Sequence, residues 1–396
     1  MRLSLRSVLF RLHWALGLTA GLVLALMGAT GAMMSYEESI TDLLNPGRAA
    51  VAVSQRPTLG PDALMAGLAA QNARLRVSSL TLSAEPGTAV WARFAADASG
   101  KRPASVFLDP YTGAVLGEVT GEAAFATIRE LHRWLLIPGQ GKGWGRTITG
   151  ACGLTLLVFL ATGLYLRWPK IHRWRIWLKP QLARPGRPRW WSLHAVLGTW
   201  LMPVYLIIIL SGLCWSYDWY RTGATWLLTG KPPAARADRP ARRNIDGPMA
   251  LDAAWKTFQD GEGRDAGTAL MMIPGPQDAA IRIRWYARHA VQKARNEISF
   301  DRVTGALIES ARDADKPFGQ RIADNMLAVH RGQFFGAPFT LLFALAALAM
   351  PLFAATGITL YVLRRRAGRR NRAPARIAEP ALLRTGRGAV TSSQGP

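Results

Sequence analysis

The sequence is poor in cysteine, in acids and in charge as a whole. Its 396 residues hold two Cys, Cys152 and Cys214, both inside apolar runs. That excludes a disulfide scaffold and a four-cysteine zinc or iron–sulfur centre. Charged residues make up 19%, against about a quarter in soluble domains. Acids number 25 against 49 bases, a formal net charge of +24. No Gly-x-Gly-x-x-Gly follows a strand-like run, and no Gly-x-Ser-x-Gly or His-Glu-x-x-His is present, so dinucleotide, serine-hydrolase and zinc-protease chemistries lack their motifs. Nearly half the residues are apolar, which excludes disorder.

Four apolar runs are long enough for a bilayer, which takes about 20 residues. They are 14–35, 148–166, 194–216 and 339–363. The first is preceded by Arg2, Arg6 and Arg11 but exceeds a signal-peptide core, so it reads as an uncleaved span. The spans hold almost no carboxylates, which an ion-coupled transporter would need. The loop 167–190 carries eight Lys and Arg and no acid, and the tail 364–396 carries nine Arg and one acid, Glu379. Positive flanks stay in the cytoplasm, so both termini are expected inside a bacterial inner membrane and segments 37–145 and 218–336 outside. The basic surplus lies where topology and anionic lipid need it, so no nucleic-acid partner is expected.

The halves repeat. Leu12-His13-x-x-Leu16-Gly17, Gly31 and Ser35-Tyr36 recur as Leu193-His194-x-x-Leu197-Gly198, Gly212 and Ser216-Tyr217. Ala161-Thr162-Gly163 recurs as Ala355-Thr356-Gly357. Both outer loops contain Asp-x-x-Thr-Gly-Ala, at Asp109 and Asp301, where Asp opens a hairpin turn and Gly supplies positive φ. A helix (about 61–74 and 249–260) and then strands (about 77–83, 89–95 and 104–108; 268–273, 280–286 and 296–300) are expected in each loop. The expected fold is an α-helical membrane protein with four transmembrane helices in two duplicated halves, plus two periplasmic α+β domains. Its divisions are 8–36 (first span), 37–130 (first outer domain), 131–147 (interfacial segment), 148–167 (second span), 168–190 (basic loop), 191–217 (third span), 218–328 (second outer domain), 329–363 (interfacial segment and fourth span) and 364–396 (basic tail).

With its Leu-His-x-x-Leu-Gly span, its Asp109-Pro110-Tyr111-Thr112-Gly113 module and Leu131-His132-Arg133-Trp134 before the second span, the chain resembles the PepSY-associated transmembrane helix family. In architecture it is similar to that family's inner-membrane ferric-siderophore reductases. The resemblance implies two periplasmic PepSY-like domains, bound b-type haem and a role in iron acquisition.

Four of the six His stand at span edges in repeated positions. Depth pairs His13 with His194 at the cytoplasmic face and His132 with His330 at the periplasmic face, since about 30 Å of bilayer separates the levels. Each pair is expected to ligate the iron of one haem b, two in all. Filled axial positions suit electron transfer. Gly17 and Gly198, at i+4 from His13 and His194, leave room for the ring. At the outer pair the i+4 residues are Leu136 and Phe334, which would pack on a haem edge. Arg11, Arg133 and Arg331 are candidates for the propionates. His172 and His289 read as solvated residues. The expected activity is a transmembrane di-haem conduit. An unidentified cytoplasmic donor would supply electrons to reduce a ferric siderophore or other ferric chelate outside. The alternatives are a membrane-bound PepSY regulator, protease inhibitor or chaperone without enzyme activity, or an accessory subunit of iron uptake.

Overall fold

The computed structural model describes residues 4–71, 75–97, 100, 102–168, 174–231, 248–288, 290 and 292–370; His172, His289 and residues 371–396 of the basic tail lie outside them. In chain order the helices are α1 (Leu5–Ser35), α2 (Glu37–Leu44), α3 (Pro61–Gln71), α4 (Glu122–Trp134), α5 (Trp144–Arg167), α6 (Trp174–Leu178), α7 (Arg187–Ser216), α8 (Asp218–Thr229), α9 (Leu251–Asp260), α10 (Phe318–Asp324), α11 (Met326–His330) and α12 (Ala337–Arg370). The strands are β1 (Val77–Ser83), β2 (Val90–Phe94), β3 (Val106–Leu108), β4 (Val115–Glu118), β5 (Ala266–Met272), β6 (Ala280–Ala287), β7 (Asn296–Asp301) and β8 (Leu307–Ala311).

Helices α1, α5, α7 and α12 are the four long and apolar enough to cross a membrane. They overrun the apolar runs that announced them. Segment 131–147 is accordingly divided: its first residues finish α4 and its last begin α5. Both α1 and α7 pack against α5 and α12, which closes a four-helix bundle. Small residues allow the close approaches. A Cβ on Gly28 would lie 2.3 Å from the Ala347 carbonyl oxygen, and one on Gly153 would lie 2.9 Å from Ile209 Cδ1.

At one end of the bundle stands a single antiparallel sheet of eight strands, in the order β4-β3-β2-β1-β5-β6-β7-β8. The two α+β units expected from the sequence are therefore joined edge to edge, and each has a fourth strand, β4 or β8, beyond those the sequence announced. The join is the β1–β5 ladder, where Leu80 faces Met271 and both are fully buried. Alternation puts Ile281, Ile283 and Trp285 of β6 inside and Arg282, Arg284 and Tyr286 on the other face. The inner face is covered by α3 and α9, through Leu64, Leu68, Leu251 and Phe258, in one core shared by both units. These two helices cap each other. Asp62 N–H donates to Asp252 Oδ1 (2.8 Å), and Asp252 N–H donates to Asp62 Oδ2 (3.0 Å).

The Asp turns form as the sequence indicates. Asp109 Oδ1 accepts from the N–H groups of Tyr111 and Thr112, and Asp301 Oδ1 from those of Val303 and Thr304. Gly113 and Gly305 follow at φ +72° and +70°. Their surroundings differ. A Cβ on Gly113 would meet Leu59 Cδ1, a movable methyl, at 3.3 Å, whereas one on Gly305 would meet Ala253 Cβ at 2.7 Å and Ala254 N at 3.0 Å. Gly113→Ala should thus cost about 1 kcal/mol and Gly305→Ala more than about 2 kcal/mol, read as unequal falls in the thermal midpoint of the purified protein.

Two anchors tie the sheet to what lies below it. Glu122, which opens α4, accepts from Ser105 N–H (2.9 Å) and Oγ–H (2.7 Å), just before β3. Asn325, which opens α11, accepts from Arg295 N–H (2.8 Å), just before β7, and donates to Asp313 (2.6 Å).

Candidate functional site: two histidine pairs in the bundle

At the end of the bundle away from the sheet, His13 on α1 and His194 on α7 face each other. Their ring centroids are 6.4 Å apart and their planes cross at 74°. His13 Nδ1 is 2.7 Å from Thr162 Oγ1 on α5, and His194 Nδ1 is 2.7 Å from Thr356 Oγ1 on α12. A threonine hydroxyl has one proton to give. Thr162 donates it to the Val158 carbonyl (2.6 Å) and Thr356 donates its own to the Leu352 carbonyl (2.8 Å). With the proton so placed each hydroxyl accepts from the histidine, and the hydrogen-bond network assigns the hydrogen to Nδ1 and the lone pair to Nε2. Phe159 and Phe353 meet His13 and His194 edge to face, each with centroids 5.2 Å away. A Cβ on Gly163 would lie 3.7 Å from His13 Cε1, and one on Gly357 3.9 Å from His194 Cε1.

The sheet-side pair is built the same way on different elements. His132 ends α4 and His330 ends α11. His132 Nδ1 is 3.0 Å from Thr30 Oγ1, and His330 Nδ1 is 3.0 Å from Ser211 Oγ. Thr30 donates to the Leu26 carbonyl (2.7 Å) and Ser211 to the Ile207 carbonyl (2.6 Å). His330 Nδ1 also lies 2.9 Å from the Ile208 carbonyl, which can only accept. The tautomer is therefore again Nδ1–H. Gly31 and Gly212 make room: a Cβ on either would stand 3.1 Å from Cε1 of His132 or His330. Desolvation pushes both imidazoles down to about 4, so they are neutral near pH 7, the form that ligates metals.

Both loops holding this pair are fixed by close contacts. A Cβ on Gly145 would fall 2.0 Å from the Trp134 carbonyl oxygen, and Thr149 Oγ1 donates to the Arg133 carbonyl (2.9 Å), so the end of α4 rests directly on α5. Gly332, at φ +74°, would bring a Cβ within 2.7 Å of the Phe339 carbonyl oxygen on α12.

All four paired histidines, both strand units, the whole of α5 and α7 and most of α1 and α12 fall within residues 10–364, which match the family model for the PepSY-associated TM region. The chain belongs to that family. No curated protein matches it.

Within this PepSY-associated TM chain the remaining sequence candidates are placed as follows. A Cβ on Gly17 would meet no protein atom within 4 Å, and one on Gly198 would lie 3.7 Å from Phe353 Cε1. Arg11 is exposed. Arg133 lies over the Trp134 ring at 4.6 Å. Arg331 reaches Glu37 at 3.8 Å, in a cleft of about 310 Å³ that also takes in Glu38, Tyr286 and Lys293. Lys293 pairs there with Glu38, and Arg129 pairs with Glu37. The i+4 expectation for Leu136 and Phe334 is corrected. Leu135 and Leu136 turn left-handed at φ 56° and 57° straight after α4, and His330 is the last residue of α11, so neither histidine has a helical i+4 neighbour. The small residues beside the sheet-side rings come from α1 and α7 instead.

The residues that sequence reasoning missed are the hydroxyl partners Thr30, Thr162, Ser211 and Thr356. Ala-Thr-Gly recurs at 161–163 and 355–357, and that repetition at a bundle level shared with a His is the signal the sequence holds for two of them. Among the described residues no group of three or more His, Cys, Asp and Glu side chains could hold a bare metal ion.

Proposed function

We propose that this protein is a two-haem electron conduit across a bacterial inner membrane. In this reading it reduces ferric chelates, ferric siderophores among them, outside the membrane with electrons from a cytoplasmic donor. The observation that carries the proposal is the common setting of the four histidines: each Nδ1 lies within hydrogen-bond distance of a Thr or Ser hydroxyl, which leaves Nε2 as the nitrogen for a metal. The far pair also fits on distance. A metal–imidazole bond is about 2.0–2.1 Å and the nitrogen lies roughly 1.1 Å from the ring centroid, so two imidazoles sharing one metal have centroids about 6.3 Å apart. The observed separation is 6.4 Å. Two nitrogen donors are too few for a bare ion and sufficient for a metal whose other positions a porphyrin fills. This agrees with the lack of a third ligating side chain among the described residues. Haem, when bound, supplies one-electron exchange at an iron closed to oxygen.

The chain's own residues hold and orient. The hydroxyls of Thr162 and Thr356 fix the tautomer and rotation of His13 and His194, while Thr30 and Ser211 do so for His132 and His330. In this reading the chain is an internal duplication, and its basic flanks place the His13/His194 end in the cytoplasm and the sheet in the periplasm. A negative-inside potential then assists outward electron transfer, by about 2.3 kcal/mol per 100 mV for a full crossing. Reduction of iron(III) to iron(II) weakens its hold on hard oxygen donors and releases it.

The test is the absorption spectrum of the purified full-length chain. A Soret band that shifts on dithionite reduction is expected, with about two haems per chain by pyridine haemochrome. A colourless, folded preparation from haem-replete cells would overturn the proposal and favour a regulator built on the same fold.

A further inference from the structure

Arg167 closes α5 at the end of the bundle away from the sheet. Its Nη2 donates to the carbonyls of Ile176 (2.7 Å) and Trp177 (2.9 Å), and its guanidinium stands 5.2 Å from the Trp177 ring. Its Nε and Nη1 are buried and have no hydrogen-bond partner among the described residues. A guanidinium does not deprotonate in proteins, so these are buried, unmet donors on a half-buried cation, an arrangement that folding disfavours.

The described residues of the helices around it offer no anion to meet them. The described residues of α1, α5, α6, α7 and α12 contain no Asp or Glu. The side chain that reaches the adjoining residue is another cation, Arg6, whose Nη2 donates to the Leu166 carbonyl (2.7 Å). The place is nevertheless next to the far histidine pair. Gly163, which borders His13, lies four residues before Arg167, and Thr162, which holds His13, lies five before. Residues four apart share a helix face, one turn of about 5.4 Å away, and Cβ leans toward the preceding turn.

We infer that Arg167 is a binding residue for a carboxylate brought in by the group seated between His13 and His194, which on the proposal above is a haem propionate. None of the three arginines singled out from the sequence has this combination of buried, unmet donors. Through Nη2 the same guanidinium fastens the α6 segment to the site. The inference rests on the haem reading, but it can fail separately.

The experiment uses the purified full-length protein as wild type, Arg167→Gln, Arg167→Lys and Trp177→Ala. Two quantities are read: the rate of haem transfer to apomyoglobin, and the midpoint potential of the haem that is missing from a His13→Ala protein. Arg167→Gln should speed loss of that haem about tenfold, the effect of removing one charge-assisted contact. It should also lower the potential, because an unpaired carboxylate favours the ferric state. The other haem should be unchanged, which shows that the fold is intact. Arg167→Lys, which keeps the charge with fewer donors, should fall between, and it carries both readouts if the Gln protein does not fold. Trp177→Ala should behave as wild type. Unchanged loss and potential in Arg167→Gln would overturn the inference and leave water or a lipid phosphate as the acceptor. A Trp177→Ala protein that copies Arg167→Gln would overturn it too, since Arg167 would then act through the α6 segment. A colourless wild type would instead remove the haem reading before any variant is made.

Discussion

On the two-haem proposal, His194→Ala is expected to remove one haem and to stop reduction of ferric chelates, with the sheet-side haem left in place. Among the described residues nothing beside the ring can replace the lost ligand. Phe353, Thr356 and Gly357 surround the ring, and Thr356 already spends its proton on a helix carbonyl. Loss of an outer-shell partner alone lowers metal affinity about 10–100-fold, so loss of the ligand should exceed that. His13 would remain as a single axial donor, and the residual iron should turn high-spin. The check is haem stoichiometry with a low-temperature spin-state measurement, alongside ferric-chelate reduction in vesicles loaded with reductant. Retained reduction in the variant would reject an electron path through this pair.

The second large effect is expected at Gly212. A Cβ there already approaches His330 Cε1 to 3.1 Å, so an alanine requires the ring to give by a few tenths of an ångström. A leucine fills the space the imidazole occupies. Gly212→Leu should therefore lose the sheet-side haem and keep the one at His13/His194, the mirror image of His194→Ala. Gly31→Leu should act alike through His132. Gly17→Ala should leave the fold intact, because no protein atom lies within 4 Å of its added Cβ, so a loss in that variant falls on the haem at His13/His194 alone. Two haems with an unchanged low-spin spectrum in Gly212→Leu would show that the sheet-side ring is not held by His330. A porphyrin near His13 that Gly17→Ala displaces would show that the open space beside Gly17 belongs to the cofactor.

Much of this architecture is legible in the sequence because the forces that write it are local. The spans follow from apolar length, the Asp109 and Asp301 turns from side-chain reach, and the pairing of His13 with His194 from depth. What escaped depends on neighbours distant in the chain. Thr162 and His13 are 149 residues apart, and no periodicity says which helix faces which. Leu80 and Met271 look like ordinary strand interiors, and only the folded chain shows that β1 and β5 are partners. At the sheet-side pair the error was one of element length. Counting four residues onward assumes that the helix continues, whereas Leu135 and Leu136 end it in the left-handed region that β-carbons disfavour.

The unbroken ladder across β1 and β5 has a mechanical consequence. His132 hangs from one half of that sheet through the Glu122–Ser105 contact, and His330 from the other half through Asn325 and Arg295. A rigid lintel thus sets the gap between two posts. A substitution at the seam, far from either imidazole, should widen or narrow that gap. Anything that grips one half of the sheet also pulls on the ligand borne by the other.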